Sequence, residues 1–204
     1  MQLVEGPWRY TFTRDDVLWA ARMLQGEGPP EDSAAILWTM AQLFAPEGQA
    51  GKYSGPHRFD TFTKLIQAYS QPINPIWRRD GSRCRPGGRY YGTDHCSEAR
   101  LRRRDYYATL AYDDVDPDKR AVLEAWLEGK VPNPVPGAAD FADRRVISNE
   151  RRAAQPVIWT SPSDNQFLRA VQPIRVPVAV VSSPSNILDA LTPFAERLRR
   201  WLAP

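Results

Sequence analysis

The sequence predicts a mainly α fold with a proline-rich, partly extended C-terminal extension that ends in an amphipathic helix. Three observations carry this expectation. Between Thr13 and Gly129, apolar residues recur at helical spacing in five stretches, each with its own start or stop signal. Ten of the 19 prolines fall at or after Pro132, so the last third cannot be continuously helical. Ile187 to Leu202 then carries Leu188, Leu191, Phe194, Leu198 and Trp201 along one apolar stripe. The boundary this suggests separates a helical domain over residues 1–145 from an extension over 146–204, which packs on the domain or docks a partner.

The first helix opens at Thr13, a good N-cap followed by Asp15 and Asp16 in the first turn, with Phe12 placed to staple onto Val17. Gly26 is expected to stop it in a left-handed conformation, leaving Glu27 one residue beyond. Pro29 and Pro30 forbid continuation, and Glu31, Asp32 and Ser33 are expected to cap a second helix. From Ala34 to Phe44 only Thr39 and Gln42 are polar, so that helix should be buried nearly all round. Pro46 to Arg58 reads as a loop, and Asp60 as the cap of a third helix carrying Phe62, Leu65, Ile66 and Tyr69. Ser97 starts a fourth helix, and Asp116-Pro117 starts a fifth that Gly129 closes. Lys130 to Phe141 should wrap across the surface, while Val157–Trp159 and Ile174–Val181 read as short extended segments able to pair.

Glu27 is the residue with the most chemical promise. A carboxylate at the negative end of one helix and beside an apolar second helix is hard to ionise, and desolvation raises its pKa. A general acid needs that property. Downstream, Tyr69, Ser70, Gln71 and Asn74, with Trp77 shortly after, present a ring, a hydroxyl and two amides from a path stiffened by Pro72 and Pro75. Such groups suit the N-acetyl groups and apolar faces of amino sugars.

Composition and motifs exclude much else. With 42% hydrophobic and 25% charged residues the chain is globular in texture, and no apolar run approaches the roughly 18 residues of a membrane span. The N-terminal MQLVEGPWRY has no charged region leading into an apolar one, so synthesis in the cytoplasm without a signal peptide is expected. The sequence has no GxSxG elbow, P-loop, GxGxxG or HExxH. Cys84, Cys96, His57 and His95 lack zinc-site spacing, so neither a metal nor another cofactor is expected. The two cysteines are open to a disulfide or to free thiols. Arg78 to Arg104 holds nine arginines against Asp80, Asp94 and Glu98, and leaves 18 basic and 21 acidic residues in the remainder. That basic stretch suits an anionic polymer, or is simply a solvated face.

The segments ARMLQGEGPPEDSAAILWTMAQLF, TKLIQAYSQPINPIW and VLEAWLEGKVPNPVPGAADFA together resemble the cell wall hydrolase family that includes spore-cortex-lytic enzymes, within the lysozyme-like lytic transglycosylase group. The matching positions are Glu27, Tyr69-Ser70, and Gly129 with Gly137, Ala138 and Phe141, across about two thirds of the chain from Thr13 to Asp143. The resemblance implies a lysozyme-like domain over 1–145 that cleaves the β-1,4 bond between N-acetylmuramic acid and N-acetylglucosamine in peptidoglycan. Glu27 would be the single general acid/base of a lytic transglycosylase, with Tyr69, Ser70, Gln71, Asn74 and Trp77 binding substrate. With no signal peptide expected, such an enzyme would fit a phage endolysin released by a holin, or a lysin carried on a phage tail or injection device, to which the C-terminal extension would attach. Three alternatives stand beside it. One is a lysozyme-type muramidase using a second carboxylate, and another a non-catalytic virion or baseplate protein with a lysozyme-like core. The third, nucleic-acid binding through Arg78–Arg104 and its interleaved tyrosines, is disfavoured by the net acidic remainder.

Overall fold

The computed structural model describes residues 1–51, 59–170 and 178–181. Among them are seven α-helices and two three-stranded antiparallel sheets. The fold is therefore mixed α and β, not mainly α. Strands of four to six residues, several of them polar, are too short to give a sequence pattern that competes with the helical periodicity around them. The final helix expected over Ile187–Leu202 lies outside the described residues, as does His57.

Strands β1 (Gln2–Glu5) and β2 (Trp8–Thr11) form a hairpin that the sequence did not announce. Its two-residue connection is Gly6-Pro7, with Gly6 at φ 54, as a type II′ turn requires of its first central residue. Helix α1 (Arg14–Glu27) follows, capped by Thr13 in a reciprocal box with Asp16. A 3-10 turn over Pro30–Asp32 leads into α2 (Ser33–Phe44), which is buried from Ala35 through Phe44. Asp32 does not cap α2; its carboxyl group turns to another part of the chain. The expected loop begins instead with a short helix, α3 (Pro46–Gly51). Thr61, not Asp60, caps α4 (Phe62–Tyr69), and Asp60 pairs with Lys64 on the surface. Helices α5 (Glu98–Thr109) and α6 (Pro117–Leu127) complete the main helical layer, with Gly129 at φ 75 closing α6 as expected.

The chain beyond α6 runs along the surface with Pro132, Pro134 and Pro136 exposed, and turns Val135, Ala138 and Ala139 into the core. Val135 and Ala138 are fully buried because Gln42 of α2 clasps the segment. Its amide nitrogen donates to the carbonyls of Val135 and Ala138, both at 3.0 Å, and its oxygen accepts from the Gly137 N–H at 2.7 Å. The clasp places β3 (Ala138–Asp143) beside α2. After helix α7 (Asn149–Ala154) come β4 (Val157–Thr160) and β5 (Asn165–Arg169), in a sheet of order β3-β5-β4. Strand β6 (Val178–Val181) pairs with β1, not with β4.

The two helices that matter most, α1 and α4, lie side by side and point the same way. At their N-terminal ends the buried Asp16 carboxylate accepts from Tyr10 Oη, from Thr13 N and Oγ1, and from Thr63 N and Oγ1, at 2.7–2.8 Å. Near the C-terminal end of α1 the contact is steric. A Cβ on Gly26 would sit 2.5 Å from Pro72 Cβ and 3.2 Å from the Tyr107 ring, so glycine alone lets the chain after α4 approach this closely. Gly26 is thus inside α1, needed for proximity and not for a left-handed stop, and the following Gly28 is extended. Cys84 and Cys96 form a disulfide, Cα–Cα 5.4 Å, in a satellite cluster with Leu101, Trp77 and Tyr90. Asp16→Asn should lower the unfolding free energy by about 2–4 kcal/mol in urea denaturation, because it sets an amide nitrogen against donors that need an acceptor.

Candidate active site

Glu27 is the last residue of α1 and lines a cleft of about 440 Å³. One wall comes from Thr39, Met40 and Leu43 of α2, the next from Tyr69 and Gln71 at the end of α4. Residues 139–143 of β3 line it too, together with Ser163 from the turn between β4 and β5 and Asn165 at the start of β5. Both the Gln42 clasp and the close approach at Gly26 are therefore conditions for the cleft to exist.

The carboxyl group of Glu27 keeps some access to the cleft while protein encloses it on most sides. That enclosure pushes its pKa up from 4.5 to about 7; the Ser70 hydroxyl and the Gln71 backbone N–H hold it down in part. Ser70 is 2% exposed, and its hydroxyl faces the carboxyl without closing a well-aligned hydrogen bond to any group. A weak, poorly aligned partner of this kind leaves desolvation in control. The result is a carboxyl group that both holds and releases a proton near neutrality.

The structure brings together Glu27, Tyr69, Ser70 and Gln71 and separates them from the other two residues the sequence singled out. Asn74 Nδ2 donates to the Ala68 carbonyl at 2.7 Å, and its Oδ1 accepts from the Ile76 N–H at 3.0 Å, so its amide ties off the end of α4 outside the cleft lining. Trp77 also lies outside it, packed with Tyr90, His95 and Arg83 around the disulfide cluster. Much of the Arg78–Arg104 charge is used internally. Buried Arg104 donates to the carbonyls of Trp77 and His95, both at 2.9 Å. Arg79 grips Glu98 with two bonds, and Arg100 pairs with Asp94.

Several cleft residues escaped the sequence reading. Asp140 pairs with Arg151, and its charge helps burial raise the Tyr69 phenol. Asp143 is held down to about 2 by Arg145, first through its side chain and then through the Arg145 N–H. Glu27 and Asp143 both line the cleft, the first raised by burial and the second held down by Arg145. Asp32, Ser163 and Asn165 form a third polar group, in which Asn165 Nδ2 donates to Asp32 Oδ2 at 2.6 Å. Only the run PSDN before an apolar stretch hinted at that turn. Among the described residues, no helix is long and apolar enough to cross a membrane. Comparison with family models, curated proteins and solved structures finds no match to this chain.

Linkage gives Glu27 a cost with a definite sign. Below its ordinary value of 4.5 the carboxyl is protonated in folded and unfolded chains alike, and burial of the charge costs nothing. Between there and about 7 only the folded chain keeps the proton, so stability falls as pH rises through this window and stays low above it. Glu27→Gln should accordingly stabilise the protein by on the order of 2 kcal/mol at pH 8 and by almost nothing at pH 4, read from urea midpoints at the two pH values.

Proposed function

We propose that the protein is a peptidoglycan-cleaving enzyme of lysozyme-like construction, acting on the β-1,4 bond between N-acetylmuramic acid and N-acetylglucosamine as a lytic transglycosylase. The observation that carries this is Glu27 itself, a carboxyl group raised to about 7 in a cleft of about 440 Å³. Its support is local. A helix ends in the acid, a buried apolar helix flanks it, an aromatic-serine pair faces it, and a small antiparallel sheet closes the groove.

In this mechanism the protonated Glu27 gives its proton to the glycosidic oxygen as the bond to the muramic C1 breaks and positive charge builds there. The carboxylate left behind takes the proton of the same sugar's C6 hydroxyl, whose oxygen bonds C1 and closes a 1,6-anhydro ring. Proton and electron pairs balance, and Glu27 ends protonated for the next cycle. Tyr69 and Phe141 would lie against sugar faces and the Gln71 amide would meet hydroxyl or N-acetyl groups, all three lining the cleft. We further propose action on the cell wall as a phage endolysin or tail-associated lysin.

A second reading, lysozyme-type hydrolysis, is favoured by one observation. Asp140 and Asp143 line the same cleft as Glu27, and a second carboxylate near the general acid is what such an enzyme uses to activate water or bond the sugar. Mass analysis of muropeptides released from purified peptidoglycan separates the two. Anhydro ends are expected, reducing ends would install the hydrolase, and an intact wall would remove both. Where activity is present, Glu27→Gln should lower it by about 10³-fold or more, and the wild-type rate should fall as pH rises above about 7, as the acid form is lost.

A further inference from the structure

We infer that Asn165 is a substrate-binding residue whose amide is held by the buried Asp32 carboxyl group, so that its Oδ1 accepts the N–H of an acetamido sugar bound beside Glu27. This rests on the reading of the cleft as a site for amino-sugar polymers.

The turn between β4 and β5 is built to present this side chain. The Ser161 N–H donates to the Asn165 carbonyl at 2.9 Å and the Asp164 N–H to the Ser161 carbonyl at 3.0 Å, while Asp164 takes φ 66. That left-handed residue in a non-glycine position turns the chain so that Ser163 and Asn165 both line the cleft. Beneath them lies Asp32, 0% exposed. Its Oδ2 accepts from the Ser163 hydroxyl and, at 2.6 Å, from Asn165 Nδ2.

These contacts settle which way the amide points. The oxygens of an ionised carboxylate can only accept, so the Asn165 nitrogen faces Oδ2 and the amide oxygen turns away. Asn165 therefore offers the cleft a fixed acceptor. It also stands close to the acid, because a Cβ placed on Gly28, the residue after Glu27, would lie 3.2 Å from Asp32 Oδ2 and 3.4 Å from Asn165 Nδ2. The acceptor thus belongs to the part of the groove where the reacting sugar must sit.

Stability does not account for the arrangement. Asp32 Oδ1 is buried without a hydrogen-bond partner, which makes the carboxyl an expensive way to tie down one surface turn. Its benefit is directional, since it fixes an amide that could otherwise rotate. An acetamido group supplies a single N–H in a defined place, and a fixed acceptor rewards it over a sugar bearing hydroxyls alone. Asp32 is then a positioning residue that acts through Asn165.

The test is binding, so that it does not depend on turnover. The β-1,4-linked tetramer of N-acetylglucosamine is titrated into the full-length Glu27→Gln protein, with the sugar amide protons followed by NMR. One acetamido N–H should move downfield and exchange slowly. Adding Asn165→Ala should weaken binding about tenfold and abolish that signature. Adding Asp32→Leu should abolish the signature too, because it leaves no acceptor to hold the Asn165 nitrogen. Should Asn165→Ala fail to fold, Asn165→Ser serves in its place. Binding with an N–H signature that survives both changes overturns the inference and leaves the peptidoglycan reading untouched. Absence of any binding also overturns it, and digestion of peptidoglycan by the wild type then decides the broader reading separately.

Discussion

Everything about the cleft depends on how closely the end of α4 is allowed to approach the end of α1. Five donors converge on the Asp16 carboxylate and lock the two helices at their starts. Gly26, lacking a Cβ, lets Pro72 press against the last turn of α1. Between these two points Ser70 and Gln71 are delivered to Glu27, which loses solvent on the side where α4 ends. A shift of one methyl group at Gly26 would reopen that side. The elevated pKa is therefore a property of helix packing, expressed at one residue.

The second wall depends on a different kind of contact. Gln42 is a polar residue in an otherwise apolar helix, and its amide satisfies carbonyl and N–H groups of a chain segment roughly 95 positions away. Without that clasp, the backbone that turns into the core here would leave buried polar groups unpaired. With it, β3 is set beside α2, and β5 and β4 follow in register. The disulfide cluster stands apart from this machinery. Its arginines and aromatics mostly satisfy one another, which explains why so basic a stretch presents less free charge than its composition suggests.

The parts that were legible before the structure share a feature, which is that their causes are local. Thr13 caps α1 through Asp16, three residues on, and Gly129 closes α6 with its own φ. The burial of α2 follows from its composition, and the promise of Glu27 from its two neighbouring helices. What stayed hidden depends on partners distant in sequence. Asp32 has the residue type and position of a cap, yet its carboxyl reaches Asn165, more than a hundred residues later. Asn74 and Trp77 looked like ligand groups because amides and rings also do structural work, and nothing in a short window separates the two uses. Strands β1, β2 and β5 are too brief to carry a period, although Gly6-Pro7 was a turn signal that went unused.

The cleft collects polar groups that a fold selected for stability alone would avoid. Glu27 costs stability at every pH above its ordinary value, Asp32 buries an oxygen with no partner, Thr39 buries a hydroxyl with none, and Ser70 buries one that reaches Glu27 only in poor alignment. Apolar replacements of similar size would pack these places at lower cost. Glu27 and Thr39 line the cleft while Ser70 and Asp32 stand directly behind it; among the described residues, Glu5, Ser33, Arg120 and Trp126 hold further buried polar atoms without partners. Strain and unpaired polarity gathered around one concavity are what a site for chemistry or recognition leaves in a structure. What distinguishes the cleft is that its unpaired groups surround an acid raised to about 7 and open onto a concavity.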